Sequence, residues 1–253
     1  PAEAAVLDRF DIVSFDPRGV GESNPVDCGD TSALDLADYS PESPAEMANL
    51  KATMKAFAAA CEENTGPLLQ HMSTIETARD VEQLRRALGE DKLNLLGFSY
   101  GTELFGTYAD LYPDRVRTAT LDGAVPSGIT GAEMFASQAA SVEHQFQRFL
   151  DACDAAPDCP IPGDDAGNFY DELIDTWDAK PPSVAGASGP SASELTTVAA
   201  TAIFEPAFPT AFAQSLADAA AGDASGIVAA WDSYGGTTNG ESPSLVSGIA
   251  INC

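Results

Sequence analysis

Hydrophobic and polar positions follow two rhythms in this chain. The first half alternates short apolar runs with amphipathic stretches. Phe10-Asp11-Ile12-Val13-Ser14-Phe15 is a β-branched and aromatic run that predicts a buried strand over residues 10–15. It empties into a glycine-rich turn, Asp16-Pro17-Arg18-Gly19-Val20-Gly21-Glu22-Ser23. From there to Pro67 the chain is polar and helix-prone, with a surface helix expected over 45–60. Ser73-Thr74-Ile75-Glu76 has the form of a capping box, in which the Ser73 hydroxyl takes the Glu76 amide and Glu76 reaches back. The helix it opens, 74–88, carries apolar positions at Ile75, Ala78, Val81, Leu84 and Leu88, and Gly89 stops it. A strand over 93–98, a helix over 102–112 halted by Pro113, and a strand over 116–121 follow. Strand and helix in this order predict a parallel sheet with right-handed crossovers.

Beyond Ser127 the rhythm becomes that of helices alone. The remainder is Ala-rich, with helices expected over 132–152, 168–178, 193–204, 210–221 and 224–234, and a Pro/Ser/Gly-rich interruption over 181–190. No strand pattern alternates with them. The expected architecture is therefore a partial α/β core over residues 1–127 followed by an inserted all-helical cap over 128–253, truncated at its C-terminal end.

Composition changes the picture in two ways. With 253 residues, 44% of them hydrophobic, the chain buries a substantial interior. Lys and Arg number 12 against 39 Asp and Glu, a formal net charge of -27, which disfavours nucleic acid and anionic membrane as partners. The acids are scattered, as expected of a solvated surface in a salty or extracellular setting. No apolar run reaches the roughly 20 residues of a membrane span.

Five cysteines occur, Cys28, Cys61, Cys153, Cys159 and Cys253. A metal site is not expected: the Cys153/Cys159 gap is wider than ligand spacing usually allows, and only His71 and His144 could assist. Cys153 and Cys159 instead look like the ends of a small stapled loop, with Cys28 and Cys61 forming a second bridge. Cys253 then has no partner, and the expectation is that its partner lies beyond the end of the chain. Disulfides point to an oxidising compartment, secreted or periplasmic.

The candidate chemistry sits in Gly97-Phe98-Ser99-Tyr100-Gly101, a G-x-S-x-G motif between the strand at 93–98 and the helix that follows. Strand, sharp turn and helix make this the nucleophile elbow of an α/β-hydrolase, in which a strained turn presents the serine hydroxyl. Both glycines are expected to be needed because strand and helix nearly touch there. Ser99 is the expected nucleophile and the Tyr100 backbone N–H the expected oxyanion-hole donor. Glu103, one turn on, is expected to face solvent or a neighbouring loop. Arg18 is expected to anchor the loop at the strand end rather than touch substrate.

Together these stretches resemble a known family. Asp16 to Ser23 is similar to the D-x-R-G-x-G-x-S loop of the proline iminopeptidase-like and tripeptidyl aminopeptidase-like α/β-hydrolases. The elbow with Thr107-Tyr108-Ala109-Asp110-Leu111-Tyr112-Pro113-Asp114-Arg115-Val116, and Leu121-Asp122-Gly123-Ala124-Val125-Pro126, resemble that family's next segments. The stretch from Phe204-Glu205-Pro206 to Gly222-Asp223 resembles the cap of the secreted tripeptidyl aminopeptidases.

The resemblance implies a serine exopeptidase that removes short peptides or single residues from N-termini without a cofactor. Its substrate would be a peptide with a free N-terminus, whose amine Glu205 would bind. Two parts of the family pattern are missing: a His-Gly-Gly loop before residue 10, and an Asp then a His after the cap. His144 falls in the first cap helix and His71 before the helix at 74, so neither matches the triad position. The chain is thus expected to be the middle of a longer hydrolase and inactive alone. The alternatives are a carboxylesterase-type hydrolase and an inactive binding or scaffold module of the same fold. An epoxide hydrolase would need Asp in place of Ser99.

Overall fold

The computed structural model describes residues 4–35, 37–126, 128–184, 187–188, 190–203 and 208–234. Two short helices, α1 (Ala4–Leu7) and α2 (Ser32–Asp35), precede the long α3 (Pro44–Thr65) and a 3-10 segment, Gly66–His71. Then come α4 (Thr74–Ala87), β1 (Leu93–Phe98), α5 (Tyr100–Leu111) and β2 (Val116–Asp122). The rest is α6 (Gly131–Ala155), α7 (Ala166–Ala179), the two-residue strands β3 (Ser183–Val184) and β4 (Ala187–Ser188), α8 (Ala192–Ala202), α9 (Phe208–Ala220) and α10 (Ser225–Tyr234).

The predicted helices and the strands at 93–98 and 116–121 therefore form, with ends shifted by a few residues. β1 and β2 pair in parallel, with Leu95 beside Ala119 and Phe98 beside Asp122. Residues 10–15 depart from expectation and form no strand. A strand exists only through its ladder to a neighbour, and this run has none among the described residues, leaving Phe10, Ile12 and Val13 half exposed. The 181–190 interruption, expected to be irregular, contains the antiparallel β3–β4 pair.

The chain divides into two compact units, one holding α4, β1, α5 and β2, the other α6 to α10 together with residues 30–59. In the first, one face of β1 packs on the two helices through Ala78, Val81, Leu95, Leu104 and Tyr108. Of the five apolar positions expected on α4, Ala78 and Val81 are buried, while Ile75 and Leu88 are each 47% exposed. Polar groups fill the rest of that face. Arg85 makes a fork with the buried Glu82 carboxylate at 2.8 Å on both arms, and Arg86 and the Tyr108 hydroxyl also donate to Glu82. Arg85 reaches on to the carbonyls of Glu90 and Asp91 just ahead of β1. This ion cluster ties α4 to α5 and to the start of the strand that carries the elbow.

In the second unit Phe146, Leu150, Tyr170, Leu173, Trp177, Leu195, Val198, Phe212, Leu216 and Ile227 share one core. Its helices begin at well-formed caps: Thr130 with Glu133 and Ser191 with Glu194 complete capping boxes, and Asp165 caps α7. Both expected disulfides are present, Cys28–Cys61 in the first unit and Cys153–Cys159 from the last turn of α6 to the loop after it. Cys253 lies outside the described residues. No described helix is long and apolar enough to cross a membrane.

Candidate active site

Ser99 stands between the last residue of β1 and the first of α5, at φ 52° and ψ -123°. Asn24 is the other described residue besides glycine with positive φ. For a residue with a Cβ this conformation costs roughly 1–3 kcal/mol and persists only where the surroundings over-determine it. They do so on both sides of Ser99. Its amide donates to the Asp122 carbonyl at 2.9 Å, joining the turn to the end of β2. Its carbonyl accepts twice from Thr102, from the backbone N–H at 2.8 Å and from the hydroxyl at 2.7 Å. Thr102 Oγ1 in turn accepts from the Val125 amide at 2.8 Å. The Ser99 residue is exposed.

The two glycines of the motif are unequal. A Cβ on Gly97 would stand 2.5 Å from the Gly101 carbonyl oxygen and 2.7 Å from its carbon, so strand and helix touch there as expected. A Cβ on Gly101 would meet no described atom within 4 Å, so the expected steric need for a second glycine is corrected: Gly101 is the surface approached.

Tyr100 opens α5, and the first amides of a helix have no intrahelical acceptor. Its N–H is thus the first donor beyond the serine. The Tyr100 phenol meets Thr74 Oγ1 at 3.0 Å, and burial, with the Glu103 charge, pushes its pKa up against the pull of that hydrogen bond. Glu103 is half-buried rather than freely solvated, and burial raises its carboxyl pKa.

The glycine-rich loop at 16–23 is held to α4. Arg18 forms a bidentate pair with Asp80 at 2.7 Å on both arms and donates to the His71 carbonyl at 3.0 Å. The expected anchoring role of Arg18 is what these bonds describe. Asp16 accepts from the Glu22 amide at 3.0 Å across the same turn. Gly19 adopts φ 79° with its α-carbon against the buried Met72, where a Cβ would collide with the Met72 methyl.

The capping box expected at α4 is half formed. Ser73 Oγ accepts the Glu76 amide at 3.3 Å, but the Glu76 carboxylate turns to Arg79 and toward Arg18 instead of reaching back. The arginines offer full charges where the cap offers one amide.

The His71 side chain is exposed and makes no described bond to Ser99, and the His144 side chain, in the second unit, is exposed on α6. Glu205 lies outside the described residues. No cluster of three or more His, Cys, Asp or Glu suited to a metal occurs among the described residues. Thr102 and Thr74 were not singled out by sequence reasoning. The available signal for Thr102 was a hydroxyl three residues past a serine that begins a helix, where it can bond back to the turn.

A serine held in a positive-φ turn between a parallel strand and a helix defines a nucleophile-elbow protein. Residues 2–184 match the family described as alpha/beta hydrolase fold, and the chain belongs to it. It is 37% identical over 180 residues to serine protease Hip1 of Mycobacterium tuberculosis (strain ATCC 25618 / H37Rv), covering 67% of this chain and 34% of that protein. Against the tripeptidyl aminopeptidase of Streptomyces lividans it is 44% identical over 119 residues, 46% of this chain and 22% of that enzyme. Against carboxylesterase B of Mycobacterium tuberculosis (strain CDC 1551 / Oshkosh) it is 33% identical over 215 residues, 81% of this chain and 41% of that protein. The matched stretches thus cover between 22% and 41% of the length of these relatives.

Proposed function

We propose that this chain carries the nucleophile elbow of a serine hydrolase that cleaves short peptides or single residues from peptide N-termini. The observation that carries the proposal is the strained, exposed Ser99 with a helix N-terminus directly behind it. In the proposed step Ser99 Oγ bonds to the scissile carbonyl carbon while a histidine takes its proton. The C–N bond then breaks, the leaving amine receives that proton, and water releases the acyl group. The Tyr100 N–H stabilises the oxyanion, and Glu205 binds the substrate's free amine. The histidine and acid come from parts of the full-length protein outside these 253 residues, in keeping with the greater length of the relatives. The disulfides favour work outside the cytoplasm.

The likeness to carboxylesterase B supports a second reading, an esterase with the same elbow. One experiment separates the two. In the full-length protein, a fluorophosphonate probe labels Ser99, Ser99→Ala abolishes turnover, and free-amine peptides are cleaved much faster than N-acylated analogues. Equal rates on both, or turnover of simple esters alone, favours the esterase. An active Ser99→Ala variant removes both readings.

A further inference from the structure

Ser99 C=O and Tyr100 N–H are opposite ends of one planar trans peptide, so they point in opposite directions. Whatever fixes the carbonyl therefore aims the amide. Thr102 supplies both described bonds to that carbonyl, and one of them comes from its side chain. A hydroxyl has a single hydrogen to give. Since the Val125 amide can only donate, the order of the chain is fixed: Val125 N–H to Thr102 Oγ1, and Thr102 O–H to the Ser99 carbonyl. Thr102 is 3% exposed, so water has little room to replace these bonds.

We infer that Thr102 is a positioning residue: it carries the placement of the loop after β2 into the orientation of the Tyr100 amide, the donor that meets the developing oxyanion. The inference rests on the proposed serine mechanism. A hydroxyl here does something that a merely well-packed side chain would not. With only the backbone bond left, the peptide can rock, and a donor worth about 10²–10³ in kcat when removed outright becomes partly misaligned. The substrate's ground-state carbonyl gains little from that donor, so the effect belongs in kcat rather than KM.

The test uses the full-length protein with Thr102→Val, which keeps the shape and removes the two hydroxyl bonds, to the Ser99 carbonyl and from the Val125 amide, while leaving the backbone bond. The expected result is a fall in kcat of about tenfold to a hundredfold with KM nearly unchanged. Affinity for a substrate-derived boronic acid, whose adduct on Ser99 places a charged oxygen in the same position, should weaken in parallel. Thr102→Ser should restore both. Should the valine variant not fold, Thr102→Ala is measured by the same criteria. Unchanged kcat and unchanged boronate affinity in the folded variant, whatever its melting temperature, overturn the inference. If Ser99→Ala stays active or the wild type does not bind the boronate, the serine mechanism itself has failed instead.

Discussion

Ser99 is held in its turn by bonds to both of its peptide groups, but Gly97 decides whether the turn can close at all. The side chain missing there is occupied by the backbone of Gly101. Gly97→Ala must push the strand and helix apart, at a cost of about 1–3 kcal/mol, whereas Gly101→Ala should stay within about 0.5 kcal/mol of the original. Thermal unfolding of the two variants, with probe labelling of Ser99 in the full-length protein, checks the contrast. The motif was legible at once in the sequence because strand, turn and helix follow one another without a gap. The inequality of its glycines was not, since it depends on which backbone approaches which.

At the scale of elements, α4 shows where periodicity misleads. Its apolar spacing located the helix, but the face against β1 and α5 is built partly from Glu82 and Arg85, residues that a hydrophobic pattern assigns to solvent. The Arg85 fork, opposed by burial and aided by Arg86 and Tyr108, lowers the Glu82 pKa from 4.5 to about 2. Burial first, then the hydrogen bond to Glu82 and its charge, raises the Tyr108 phenol from 10.0 to about 12. Because the Glu82 value falls on folding, its contribution is complete above pH 4.5 and disappears as pH drops toward 2. Because the Tyr108 value rises, its contribution is complete below pH 10.0 and is lost toward 12. Stability of the first unit should therefore be flat between those limits and fall outside them. Tyr108→Phe should cost about 2 kcal/mol, the worth of a hydrogen bond to a charged group, and Glu82→Gln more, since it leaves the Arg85 charge without its counter-ion. Melting curves across pH for the three proteins test this. The run at 10–15, without a strand partner among the described residues, has a related cause: composition marks a strand former, but only a neighbour makes a strand.

The whole molecule was legible in class rather than in detail. An α/β core motif followed by helices was read from the change of rhythm, and the family match agrees. The cysteine pairs were read from the short Cys153–Cys159 loop, with Cys28 and Cys61 then forming the second bridge. Cys28 and Cys61 lie 33 residues apart, Cys153 and Cys159 only 6. By loop-closure entropy the first bridge constrains the unfolded chain by about 4 kcal/mol and the second by about 2. Calorimetry of Cys28→Ala/Cys61→Ala and Cys153→Ala/Cys159→Ala should show the larger loss for the first pair. Equal losses would mean that the strain or packing of each bridge outweighs loop length. What composition could not convey is which carboxylates matter to a substrate.

The face of β1 turned from the helices leaves Phe98 61% and Leu96 52% exposed. Surfaces of that kind attract one another at contact, while a net charge of -27 repels at longer range. Colloidal behaviour then depends on solvent more than on folding. In dilute neutral buffer the charge keeps copies apart. Added salt shortens the reach of that repulsion to about 3 Å at 1 M, and acid removes the carboxylate charge itself. Either change brings each molecule within reach of the sticky side of the next.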